Sequence, residues 1–167
     1  MTASANVISI DPSVAAANAG ALYGMLDTEN HMYVTMRVED QLIGIPVKNV
    51  RDVLRQQKIT HIPLSAPEVS GSLNLRGRIV TVINLRRRLR LPERPEDSKS
   101  MFVVVEYRGE LFSLMVDSVG EVMTVPYHSI EKSPANLGGE WKEVTTGIYK
   151  LSGELLVIVD VQSLLTI

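Results

Sequence analysis

The chain has 167 residues, enough for one domain or two very small ones. Hydrophobic residues make up 45% of it, so it can fill a core, but two Phe and one Trp leave that core to Val, Leu and Ile. There is no cysteine, which excludes disulfides, thiolate metal sites and thiol catalysis, and a net charge of −2 argues against a DNA-binding domain, which would be basic overall.

The charge is uneven. Residues 1–50 carry a net −3, residues 51–94 carry ten basic and three acidic side chains for +7, and residues 95–167 carry −6. A basic middle between acidic ends suggests surfaces that meet partners of opposite sign. No basic residue precedes Arg37, so the N-terminus lacks the positive start of a signal peptide. The uncharged run 12–26 is too short and too polar to cross a bilayer.

In chain order, residues 1–30 come first and stand apart as an N-terminal extension. Asp11-Pro12-Ser13 fits a helix start, so a short helix over 12–26 and a flexible tail are both open readings. Next, "YVTMRVEDQLIGIPVKNVRDVL" (33–54) reads as a strand, a tight polar turn, a second strand and a short tail. "GSLNLRGRIVTVINLRRRL" (71–89) follows as a strand, a glycine turn, an apolar strand and an arginine-rich tail. "LPERPEDSKS" (91–100) has two prolines and no apolar pattern and reads as a linker.

The second half repeats the first. "FVVVEYRGELFSLMVDSVGEVM" (102–123) aligns without a gap on 33–54, so Tyr33 meets Phe102, Val50 meets Val119 and Asp52 meets Glu121. "GIYKLSGELLVIVDVQSLL" (147–165) lies on 71–89, so Gly71 meets Gly147 and Gly77 meets Gly153. The fold class is therefore mainly β, with two related units at about 31–90 and 100–167 and at most short helices. Units of that size usually close into small barrels that need to share an interface. Whether strands cross from one unit to the other is left open by the sequence.

Catalytic motifs are missing. His31, His61 and His128 are far apart, with no HxxxH or HExxH spacing, and there is no phosphate loop or GxSxG elbow. Asp117 and Asp160 end apolar strands, and each precedes a helix-like segment, "DSVGEV" and "DVQSLL", so helix capping accounts for both. Arg86, Arg87, Arg88 and Arg90 read mainly as a solvated rim, with Leu85 and Leu89 turned inward. Residues 70–100 contain no aromatic platform for single-stranded nucleic acid. Arg76 differs, because its counterpart is Ser152, and the turn needs its glycine but not its arginine. An ordinary turn residue and a guanidinium held out for a partner's carboxylate are the two readings.

Four segments, "IGIPVKNVRDVL", "GSLNLRGRIVTVINLRRRL", "LFSLMVDSVGEVM" and "GIYKLSGELLVIVDVQSLL", occur in an order and spacing that resemble CheW, the bacterial chemotaxis coupling protein family. The likeness spans about 31–167. Thr81 and Asn84 depart from the commoner Pro and Asp after "NLRG". The resemblance implies two five-stranded SH3-like barrels packed together, no catalysis and no cofactor. It implies a cytoplasmic scaffold that couples the tips of methyl-accepting chemoreceptors to the regulatory domain of the histidine kinase CheA in receptor arrays. It implies neither nucleic-acid binding nor direct membrane insertion. The partner surfaces it implies fall at Val50 and Asp52, at the turn with Asn74, Arg76 and Gly77, and at Val122 with the "EKSPANL" loop ending at Leu137. Competing readings are a coupling protein of a related array, controlling pili or development, a nucleic-acid-binding barrel driven by the +7 segment, and an enzyme with an unrecognised site.

Overall fold

The structure, a computed structural model, describes residues 6–8, 30–95, 97–133 and 137–166. The helix reading for 12–26 lies outside these residues. Eleven strands are described. They are β1 (Asn6–Ile8), β2 (Asn30–Val38), β3 (Gln41–Pro46), β4 (Val50–Leu54), β5 (Val69–Leu75), β6 (Arg78–Asn84), β7 (Met101–Tyr107), β8 (Glu110–Val116), β9 (Ser118–Pro126), β10 (Thr145–Leu151) and β11 (Glu154–Val159). Three short α-helices, α1 (Leu85–Arg88), α2 (Gly139–Val144) and α3 (Val161–Leu165), and two single 3-10 turns, Val47–Asn49 and Tyr127–Ser129, complete the described elements.

The protein is mainly β. One sheet has the order β1-β9-β2-β3-β11-β10 and the other β4-β7-β8-β6-β5. Each sheet thus takes strands from both halves of the chain: hairpin β2–β3 is completed by β9, β10 and β11, and hairpin β7–β8 by β4, β5 and β6. The pairing registers repeat as the sequence does. Tyr33 lies opposite Pro46 and Phe102 opposite Met115, while Met36 pairs with Val119 and Val105 with Val50. Even the irregularities recur, at Thr145/Gly147 and at Val69/Gly71.

The chain leaving β4 crosses to the far edge of its own sheet, where Thr60 and Ser72 exchange two backbone hydrogen bonds of 2.8 Å. Glu131 and Ile148 likewise exchange two after β9, at 2.8 and 2.9 Å. These bridges close the five strands β9-β2-β3-β11-β10, with β1 outside them, and the five strands β4-β7-β8-β6-β5 each into a small barrel of the SH3-like kind and remove most of its open edge. Closure leaves no room for a side chain at position 71 of β5: a Cβ on Gly71, whose φ is +146°, would sit 2.2 Å from the Thr60 carbonyl oxygen.

Three apolar clusters hold the pair together. Tyr33, Leu42, Val125, Tyr149, Leu156 and Ile158 fill one barrel, and Leu73, Val80, Val82 and Phe102 the other. The third and largest lies between them, with Met36, Ile43 and Ile45 from one sheet against Val103, Val105 and Leu114 from the other. Successive side chains of β7 therefore enter different cores, Phe102 its own barrel and Val103 the shared one. Strands buried on both faces read as continuous apolar runs, as "FVVV" does, instead of alternating.

Two sequence readings need correction. "DSVGEV" is not helical, since β9 begins at Ser118. Asp117 is thus no helix cap, whereas Asp160 does cap α3, accepting from the Ser163 amide at 3.1 Å. The arginine tail is not a uniform rim. Arg88 is buried and donates to the carbonyls of Ser163 and Leu164 at 2.9 and 3.0 Å, covering the open C-terminal end of α3. Leu85 and Leu89 do face the core.

Candidate partner-binding site

The turn between β5 and β6 carries Arg76 and Gly77, both at positive φ (51° and 85°), the backbone of a tight two-residue hairpin. Asn74 fastens it by accepting from the Gly77 amide at 2.9 Å. Arg76, largely exposed, reaches across the barrel's seam to Asp52 on β4, with 3.1 Å between nitrogen and oxygen. Asp52 is only 25% exposed at its side chain, against 78% for Arg76. One carboxylate oxygen of Asp52 takes Arg76 and the other accepts from the Val53 amide at 2.8 Å. The pair holds the guanidinium in place, while most of its five N–H donors still face solvent.

Five of the seven residues singled out in the sequence, Val50, Asp52, Asn74, Arg76 and Gly77, thus share one barrel. Val50 is half-buried and packs on the shared core. Val122 lies on β9 of the other sheet, also against the shared core, and its backbone is flanked by Val34 on one side and by Ile8 of β1 on the other. Leu137 is half-buried just ahead of α2. Its neighbours 134–136 lie outside the described residues.

The second feature is not legible in the sequence. Arg86 on α1 grips both carboxylate oxygens of Asp117, at 3.0 and 2.7 Å, and also bonds Glu39 and the Pro92 carbonyl. Asp117 sits at the β8–β9 crossover, and it further accepts from the Glu39 amide at 2.9 Å. Arg94 adds a contact from the linker at 3.4 Å. Partial burial pushes the Asp117 carboxyl up. The hydrogen bonds from Arg86 and the Glu39 amide, with the charges of Arg86 and Arg94, outweigh that and hold its pKa below the ordinary value. The hydrogen bond to Asp117, with the charges of Asp117 and Glu39, outweighs partial burial and raises the pKa of Arg86. This cluster ties the β2–β3 turn of one barrel to α1 of the other. Its partners stand 31 and 47 residues from Arg86, so no local pattern announces it.

Arg87 pairs with Glu93 and Arg90 with Glu140. The acid-free arginine segment is therefore largely neutralised in space, which weakens its reading as a phosphate-binding surface. Among the described residues no group of three or more His, Asp or Glu side chains is placed to hold a metal, and no helix is long and apolar enough to cross a membrane.

Residues 32–167 match the CheW-like domain family model. The chain belongs to the CheW-like family. The chemotaxis protein CheW of Bacillus subtilis is 31% identical over 140 residues, covering 84% of this chain and 89% of that one. CheW of Thermotoga maritima is 25% identical over 132 residues, covering 79% and 85%. Among solved structures, the scaffolding protein TtCheW of Thermoanaerobacter tengcongensis superposes with a TM-score of 0.75 at 28% identity, over 82% of this chain and 93% of that one. The paired five-stranded barrels and the family agree on one role: this is a chemotaxis coupling protein, an adaptor within a signalling assembly.

Proposed function

We propose that this adaptor is non-catalytic and works in the cytoplasm, binding the regulatory domain of the histidine kinase CheA and the cytoplasmic tips of chemoreceptors so that kinase and receptor share one array. The single observation that carries the partner assignment is Arg76, a guanidinium braced by Asp52 on a rigid turn with its remaining donors turned outward. A braced guanidinium loses little freedom on meeting a second carboxylate, which favours recognition of an acidic protein surface. Asn74 and Gly77 shape that turn. Val50, two residues before Asp52 on β4, is assigned to the same contact region, and Val122 and Leu137 to a second one.

Titration calorimetry of the full chain against CheA regulatory domain, and separately against a receptor-tip fragment, tests this reading. The expected result is saturable binding to each, with random-sequence duplex DNA giving none at physiological salt. Binding to DNA that weakens steeply with added salt, without binding to either protein, would replace the coupling role with a nucleic-acid role.

A further inference from the structure

The two barrels differ at one matching edge. The gap-free repeat lays Val53, Leu54 and Arg55, at the end of β4, on Val122, Met123 and Thr124 of β9. Both strands slip register at the corresponding place, β4 between Val50 and Asp52, and β9 where Val122 and Val119 face Val34 and Met36. On the outer side of β4 the described residues hold no further strand, and Val53 is 39% exposed. On the outer side of β9 lies β1, antiparallel to it, with Asn6 opposite Thr124, Val7 opposite Met123 and Ile8 opposite Val122. There Val122 is half-buried and Thr124 is buried.

The bare edge of β4 shows that a barrel of this kind closes without a strand at that position. In the β9 barrel the bridge between Glu131 and Ile148 makes the closure. β1 is therefore added to a finished barrel, as an extended peptide adds to an open sheet edge. It is also lightly held. Only three residues pair, and the Thr124 hydroxyl, opposite Asn6, is buried without a hydrogen-bond partner, a cost the paired state does not recover. Residues 9–29 join β1 to β2, so its release and return are intramolecular.

We propose that β1 is a displaceable strap. In the free protein it occupies a strand-addition edge of β9 at Val122–Thr124, and a partner that docks around Val122 lifts it. The ligand this edge takes is an extended segment running antiparallel to β9, which assumes the backbone N–H and C=O groups that β1 meets in the free protein. The inference rests on the assignment of Val122 to a contact region in the coupling role above. A strap closed about nine-tenths of the time holds the apparent affinity about tenfold below that of the open edge.

The test uses the full chain in three forms, each titrated with CheA regulatory domain and with a receptor-tip fragment, and each melted. Val7→Pro with Ile8→Pro removes the strap's donor to β9, since one of two adjacent strand amides faces the neighbour. This variant is expected to melt cooperatively near wild type and to bind at least one of the two proteins about five- to tenfold more tightly. Asn6→Cys with Thr124→Cys places the chain's only two thiols directly opposite each other, within reach of a disulfide. Its oxidised form is expected to bind that same protein about tenfold or more weakly than its reduced form. In the free wild-type chain, the amides of Val122–Thr124 that face β1 should exchange with solvent faster than those that face β2. Unchanged affinity for both proteins in the proline variant, equal binding by the oxidised and reduced forms, or loss of cooperative melting in the proline variant would each overturn the strap while leaving the coupling role intact. A wild-type chain and a proline variant that both bind neither protein would overturn the coupling role itself.

Discussion

Reversing the charge of Arg76 separates its two roles, bracing the turn and meeting a partner. In Arg76→Glu a carboxylate faces Asp52 where the pair now stands at 3.1 Å. At that distance Coulomb attraction is about 1.3 kcal/mol in water and several-fold more in a poorly screened interior. The Arg76 side chain is 78% exposed, so the watery limit governs, and after the loss of side-chain freedom about 0.2–1 kcal/mol of stabilisation remains. Losing the pair and adding modest repulsion should cost about 1 kcal/mol, a drop of about 2–4 °C in melting temperature for a domain of this size. Binding should suffer more, by about 2–5 kcal/mol if a partner carboxylate is desolvated against Arg76 and far less at a wet rim. The informative variant is the swap Asp52→Arg with Arg76→Asp, which restores the internal pair but inverts the outward charge. It should regain most of the melting temperature and none of the affinity for the partner that reads Arg76. Calorimetry against CheA regulatory domain and receptor tip, beside melting curves, measures both, with Arg87→Glu as the control of smaller expected effect. Wild-type affinity for both partners in Arg76→Glu, or full recovery of affinity in the swap, would refute the reasoning.

The two glycine positions should differ sharply. Gly77→Val meets open space and suffers only from its φ of +85°, costing on the order of 1–3 kcal/mol, whereas Gly71→Ala drives a Cβ to 2.2 Å from the Thr60 oxygen and should lower the melting temperature further. Arg88→Ala should destabilise by roughly 2 kcal/mol, read by urea unfolding, because it strips charged donors from buried carbonyls of α3. Asp117 has a lowered folded-state pKa, so its contribution is present above the ordinary carboxylate pKa and fades as pH falls through the folded value. Melting curves in acid should show Asp117→Asn losing its deficit relative to wild type below about pH 4. Deleting residues 1–28 removes the three-residue strand β1 from the edge of β9 and should leave a cooperatively melting protein that still binds CheA; loss of cooperativity would make the N-terminal segment integral to the fold.

The repeat makes much of the fold legible down to register, because Tyr33 and Phe102, or Gly71 and Gly147, face the same geometric demands in each barrel. Which barrel receives which hairpin is a different matter. The apolar faces of β2–β3 and β7–β8 are chemically alike, so either assignment satisfies the pattern, and only the fold reveals the exchange. The start of β9 reads as helical in sequence for a local reason. Its register against β2 slips between Val34 and Met36, and that bulge breaks the period-2 alternation. The arginines mislead for a long-range one. A run without acids in sequence says nothing of acids delivered by other strands, and Asp52, Glu39 and Asp117 arrive from outside it. Arg76 itself is legible as a non-obligatory turn residue because Ser152 replaces it in the second copy.

The central claim is that one molecule holds kinase and receptor together. Its most direct measurement is co-sedimentation of CheA with membranes carrying receptor, with this protein absent, present, or present as Arg76→Glu. CheA is expected in the pellet in proportion to added wild-type protein, and much less with the variant. Pelleting of CheA that is unchanged by adding the wild-type protein would contradict it.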